Sequence, residues 1–390
     1  MVPVNDVRGQ VSAVRRRGVV DALRRGAVPE QGLDLLATGL DRFTPALDEE
    51  LETVAGGGSV FKAVRGEYGS GKTFFTRWLA ERGKARGFAV CEIQVSENET
   101  PLHKLETVYR RLIERLTTAA FPPSALQQVV DGWFYALEED ALADGVAKDA
   151  LADAVDRLMS ARLAEVSRHA PAFAAALRGY RQALEAGDDT SAAAVLAWLG
   201  GQPHVSAAAR KAAGVRGDLD HFGALGFLQG LLTVLRDTGH AGLVVVLDEV
   251  ETLQRVRSDG RDKALNALRQ LIDEVHSGRF PGLYLVITGT PAFYDGPQGV
   301  QRLAPSRSGS PPTSRPTRAS TTRAPYRSGC RASPGSASSS SGLRSGTCTP
   351  PEQAIRYGSG RWPTRLTSAT SPRPSAGTWA GRSASPRGSS

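Results

Sequence analysis

The sequence predicts an α/β protein: a parallel sheet flanked by helices, interrupted by an α-helical insertion and followed by a disordered C-terminal tail. Three observations predict it. Short apolar runs recur in VFKAV, GFAVCEIQV, GLVVVL and GLYLVI, which is how strands buried in a parallel sheet read. Stretches with apolar residues at helical spacing lie between them. At residue 303 the composition changes abruptly.

The first 57 residues read as a helical lead-in. Thr44 and Pro45 suit a helix N-cap and first turn, with Asp48, Glu49 and Glu50 near its positive end, and Gly56-Gly57-Gly58 stops it. Residues 58–123 form the first half of the core. Its opening strand carries Phe61, Ala63 and Val64 and runs into GEYGSGKT, Gly66 to Thr73. That stretch fits the phosphate-binding P-loop (Walker A) pattern in full.

The loop's physics is specific. Gly66, Gly69 and Gly71 allow backbone angles and close approach that a Cβ would forbid, while Glu67, Tyr68 and Ser70 complete the cradle. Its N–H groups and the N-terminus of the following helix then suit phosphate oxygens. Lys72 is expected to reach the β- and γ-phosphates of ATP, and the Thr73 hydroxyl to ligate Mg²⁺. The competing reading is a glycine turn with a surface lysine. Beyond the loop, Phe74, Phe75, Trp78 and Leu79 share one helical face. The second strand leads to Ser96–Thr100 at a C-terminal rim, where α/β ligands gather. Leu102, Leu105, Tyr109, Leu112, Ile113 and Leu116 then form one helical stripe.

Residues 124–221 show no strand signal. Leu151, Val155 and Leu158, then Leu177, Tyr180 and Leu184, recur at helical intervals, so the segment reads as a helical insertion of the lid or partner-binding kind. Residues 222–302 return to the core through Leu225, Leu228, Leu232 and Leu235. The apolar strand Leu243–Leu247 ends in Asp248-Glu249. In the Walker-B role Asp248 would hold the Mg²⁺ shell beside Thr73, and Glu249 would orient and deprotonate the attacking water. A solvated strand-end pair is the alternative for both. Glu251 is a weaker candidate, with a solvent-facing side chain as the alternative. Leu265, Leu268, Ile272 and Val275 mark the crossover helix to the last strand, which offers Thr288 and Thr290 at its polar end. Thr288 is expected either to touch the γ-phosphate or the water, or simply to cap the strand.

Charge excludes an easy inference. The net charge is +8, but residues 303–390 contain 13 Arg, one Glu, no Lys and no Asp. The body therefore carries 35 basic against 39 acidic residues, and the argument for nucleic-acid binding from global charge does not apply to it. No apolar run is long enough to span a bilayer and no secretory signal is present, so a cytoplasmic protein is expected. Cys91, Cys330 and Cys348 show neither disulfide nor zinc spacing.

The last 88 residues hold 21 Ser and 12 Pro but no Val, Phe, Met, Asp, Asn, Lys or His. Such a chain buries too little apolar surface to offset its entropy. Of those 88 residues, 80 have G or C at the second codon position. A one-base slip in a GC-rich gene yields this alphabet, because it moves the third-position bias to the second position. The expectation is a shifted frame from Leu303–Ser306 onward; the alternative is a natural linker or a basic nucleic-acid arm.

In these motifs the chain resembles the AAA+/origin-recognition-like P-loop ATPases. More closely it resembles the ATP-binding proteins of the BREX bacteriophage-exclusion system, of the BrxD type. The resemblance is carried by LDLLATGLDRF, VFKAVRGEYGSGKTFFTRWLAERG, SENETPLHKLETVYRRL, VVVLDEVETLQR and TGTPAFYDGPQGVQRL, and covers residues 15–303. It implies Mg·ATP binding, ATP hydrolysis and work beside other phage-defence proteins, including a helicase-like partner. DNA binding and self-association are left open. Such proteins continue with another sheet strand, a helical lid and a DNA-binding winged helix, which this sequence does not show. Weak ATP binding, little turnover and an exposed edge beside the phosphate-loop strand are therefore expected. Two other functions stay open: a nucleotide-operated switch with negligible hydrolysis, and an ATPase tethered to nucleic acid by its basic tail.

Overall fold

The computed structural model describes residues 12–29, 32–302 and 356–358. The lead-in holds α1 (Ala13–Arg24) and α2 (Thr44–Ala55). Helix α2 starts one residue earlier than expected, with Phe43 at the N-cap, and its chain leaves through Gly56. Then come β1 (Val60–Arg65), α3 (Lys72–Ala85), β2 (Ala89–Gln94) and α4 (Leu105–Arg115).

Helices α5 (Leu126–Ala143), α6 (Leu151–Arg162), α7 (Ala164–His169), α8 (Pro171–Glu185), α9 (Asp189–Leu199) and α10 (Ala207–Ala212) follow without an intervening strand. The chain returns through α11 (His221–Asp237) to β3 (Leu243–Asp248), then α12 (Ser258–His276), β4 (Leu283–Gly289) and α13 (Pro291–Asp295). The stripe expected along α8 is incomplete. Leu177 and Tyr180 are buried, but Leu184, in the last turn, is exposed. On α6, Val155 and Met159 are buried, while Leu151 and Leu158 are half-buried.

The four long strands are parallel in the order β2-β3-β4-β1. Every residue of β3 and β4 is buried. That is why their sequences run apolar instead of alternating: a central strand with helices on both faces has no wet side. Val64, Val244, Val246, Tyr284 and Val286 share one core with Leu47, Leu51 and Val54 of α2 and Phe75 and Leu79 of α3. Side chains of a strand alternate between faces, so Val245, Leu247, Leu285 and Ile287 belong to the opposite one. Burying each such Leu, Val or Phe contributes about 1.5–3 kcal/mol.

An ion-pair cluster ties α3 to the lead-in. Arg82 of α3 donates to both carboxylate oxygens of Asp48 on α2 at 2.7 and 2.6 Å, and Arg86 adds an ion pair at 2.8 Å. The Arg82 hydrogen bond and the two guanidinium charges hold the Asp48 carboxyl below the ordinary carboxylate range. The helical block docks through α11, where Phe227 meets Tyr109 of α4, Phe173 of α8 and Trp198 of α9 edge-on.

One expectation about the sheet edge is corrected. A short strand, β5 (Arg356–Gly358), lies antiparallel along Ala63–Arg65, so that half of β1 is paired on its outer side. The backbone groups of β1 offered a free ladder there, which any extended segment in reach can complete. The disorder expected for the remainder of 303–390 lies outside the described residues. No helix among the described residues is long and apolar enough to cross a membrane.

Candidate nucleotide-binding site

Because β4 lies between β1 and β3, three strand ends meet on one rim: Arg65 and Gly289 are register partners, and β3 ends beside them at Asp248. Here β1 hands over to the glycine loop. The Gly66 N–H donates to the Gly289 carbonyl at 3.1 Å, pinning the loop's entry to the sheet. A Cβ at Gly66 would sit 2.2 Å from Ser70 Oγ and 3.3 Å from Lys72 Cγ, so any other residue there forces the Ser70 side chain to move. Gly71 caps α3 with φ +87°, in the left-handed region that glycine enters without strain.

The cradle suits an anion. The N–H groups of Gly69, Gly71, Lys72 and Thr73 meet no backbone acceptor among the described residues, and they lie at the positive end of a 14-residue helix. Ser70 Oγ is buried and has no hydrogen-bond partner among the described residues. Tyr68 is exposed on the loop, accepting from Arg255 Nη2 at 3.4 Å.

Lys72 is not a surface lysine. It is 8% exposed, and its Nζ donates to the carbonyls of Gly66 and Glu67 at 3.1 and 3.3 Å, with the Tyr68 ring 5.3 Å away. The Thr73 hydroxyl donates to Asp248 Oδ2 at 3.0 Å, across a sequence separation of 175 residues. Glycine loop and acidic strand end therefore converge. Nor is Asp248 solvated, since it too is buried.

The other side of Asp248 belongs to Thr288. Fully buried, Thr288 donates its hydroxyl to Asp248 Oδ1, while the Glu249 N–H points at both Asp248 Oδ1 and Thr288 Oγ1, each at 3.1 Å. Thr288, expected either to touch the γ-phosphate or the water or to cap the strand, here makes a bond that orients the aspartate. Thr290, also buried, stands at the N-cap of α13.

Glu249 has φ +58°. A left-handed non-glycine residue costs about 1–2 kcal/mol, and here the strain redirects the chain at the strand end. The Glu249 carboxylate accepts from Gln94 Nε2 at 2.9 Å. Gln94 was not singled out in the sequence. The available signal was a polar residue ending an apolar strand, in register with Asp248. The rim segment that was singled out is engaged locally: Ser96 Oγ accepts from the N–H groups of Glu99 and Thr100, both at 3.1 Å.

Glu251 requires a second correction. The solvent-facing alternative does not hold: the residue is 4% exposed, with a carboxylate oxygen 3.8 Å from Lys72 Nζ. The left-handed turn at Glu249 feeds a short 3₁₀ segment, Val250–Arg255, which turns Val250, Glu251 and Leu253 inward. Burial pushes the Glu251 carboxyl pKa up, and the Lys72 charge opposes the rise.

The same arrangement spans the stretch that the family model for the BREX system ATP-binding protein BrxC/D matches, residues 11–309, more than half of the chain. The chain belongs to this family. No individually curated protein matches it. For a BREX ATP-binding protein, ATP is the ligand implied by the family name, and other BREX proteins are the implied partners. The site fits that ligand. The loop supplies orphan N–H donors and a lysine, and a carboxylate–hydroxyl pair stands beside them. Among the described residues no group of three or more His, Cys, Asp or Glu is arranged to hold a metal ion by itself. A cation here would draw on Thr73 and Asp248 and complete its shell with phosphate oxygens and water, which is the habit of Mg²⁺.

Proposed function

We propose that this BREX protein binds Mg·ATP in the Gly66–Thr73 loop and hydrolyses it with Glu249 as the base. The single observation that supports the reading best is the Thr73–Asp248 hydrogen bond, 3.0 Å long, between two motifs 175 residues apart. When bound, Mg²⁺ would neutralise charge on the β- and γ-phosphates. The chain's own residues do the rest. Lys72 exchanges its two carbonyl partners for phosphate oxygens. Thr73 and Asp248 hold the cation's shell. Thr288 fixes the Asp248 carboxylate so that one oxygen stays aimed at Thr73. Glu249 takes the proton of the attacking water at its carboxylate, once Gln94 no longer occupies it. Titration calorimetry on the folded chain is expected to show ATP binding that chelation of magnesium weakens strongly. No binding heat from a folded sample refutes the reading.

A second reading, a nucleotide-operated switch with negligible hydrolysis, is favoured by one contact: Gln94 Nε2 already occupies the Glu249 carboxylate. A helicase-like partner within the defence system and a DNA tether remain proposals drawn from the resemblance and from the basic tail.

We also propose that the segment from about residue 303 is read in a shifted frame and that the chain turns ATP over slowly as a result. The support is compositional: 80 of 88 residues come from the G-or-C second-position set, and the family match ends at residue 309, just past the break. Translating the alternative frames is expected to reveal a balanced, amphipathic continuation. The protein carrying that continuation is expected to hydrolyse ATP faster than this chain, and equal rates refute the impairment.

A further inference from the structure

Glu251 has no task in the scheme above, yet it is among the most deeply buried charged side chains of the core. Neither of its carboxylate oxygens has a hydrogen-bond partner among the described residues. A buried carboxylate is costly unless hydrogen bonds or a counter-charge compensate it. Here the compensation is a cation: Lys72 Nζ lies 3.8 Å away, beyond hydrogen-bond reach but within ion-pair range, and both side chains are shielded from water. The Tyr294 hydroxyl, buried and likewise without a partner, feels the Glu251 charge from α13.

We propose that Glu251 is a positioning residue for Lys72, a buried counter-ion that holds the ammonium over the carbonyls of Gly66 and Glu67 and competes with nucleotide phosphates for it. The inference rests on the assignment of Lys72 as a phosphate ligand. Once Lys72 turns to a triphosphate, Glu251 loses its cation and stands as a like charge near the phosphate oxygens. Screening is weak in such a buried site, so the carboxylate lowers nucleotide affinity and favours release. The effect is largest for the ligand with the most charge at the β- and γ-positions.

Two measurements test the pair. Glu251→Gln removes the charge and keeps the shape; ATP is expected to bind about five- to tenfold tighter, the change that about 1–1.4 kcal/mol produces, with a smaller gain for ADP. The second needs no nucleotide. Thermal unfolding of the wild type, Lys72→Ala, Glu251→Gln and the double variant forms a cycle. Lys72→Ala is expected to lower Tm by stranding the Glu251 charge, and adding Glu251→Gln is expected to recover most of the loss. Additive Tm shifts overturn the proposal, as does ATP affinity that is unchanged or weaker in Glu251→Gln. If the wild type binds no ATP, the nucleotide reading falls, and the unfolding cycle still decides whether the two groups are counter-ions. Glu251→Met, similar in volume, carries the same tests should the amide destabilise the core.

Discussion

Lys72→Ala is expected to weaken ATP binding by at least about a hundredfold, effectively abolishing it at ordinary concentrations. The lysine is placed to make charge-assisted hydrogen bonds to phosphate, each contributing about 1.5–3 kcal/mol, and about 1.4 kcal/mol is a tenfold change in affinity. Its side chain has a short distance to travel, because Nζ already rests on the loop's own carbonyls at Gly66 and Glu67. Calorimetry reads the loss directly, with Tm measured alongside because the same substitution strands Glu251. Wild-type affinity in a folded Lys72→Ala protein would sink the nucleotide assignment of the loop.

Glu249→Gln is expected to leave ATP affinity within a fewfold of wild type while slowing hydrolysis by roughly 10²–10⁴, the usual contribution of a positioned general base. The amide keeps the size of the side chain and still meets the Gln94 side chain, so the left-handed turn at residue 249 and the inward course of Val250–Arg255 should survive. The informative comparison is between kcat and affinity. A fall in kcat alone identifies Glu249 as the base. Unchanged kcat with a measurable wild-type rate assigns the base elsewhere. A wild-type rate already near zero, with partner binding intact in both proteins, favours the switch.

Much of this was legible in the chain because it is local. Apolar runs announced four strands, glycines announced the tight loop before α3, and one apolar strand was legible as ending in two acids. These patterns depend on neighbours within a few residues, so they survive reading in one dimension. The misses share a cause. Glu251 looked like a solvated acid, since nothing adjacent in sequence reveals the positive φ of Glu249 that turns it inward. Gln94 looked like an ordinary strand end, because its importance comes from pairing with a strand about 150 residues later. Thr288 was legible as a polar strand end, but that it bonds the aspartate of the neighbouring strand was not.

The sequence by itself determined the family, the parallel α/β class and the positions of the glycine loop and the acidic strand end, since each is encoded by residue type and short-range period. Only the tertiary structure decided which polar atoms meet. Strand order placed Asp248 between Thr73 and Thr288, and one left-handed residue sent Glu251 under Lys72. Electrostatic and hydrogen-bond energies depend on ångström distances through a low-dielectric interior, and those distances exist only once the sheet has closed on its helices.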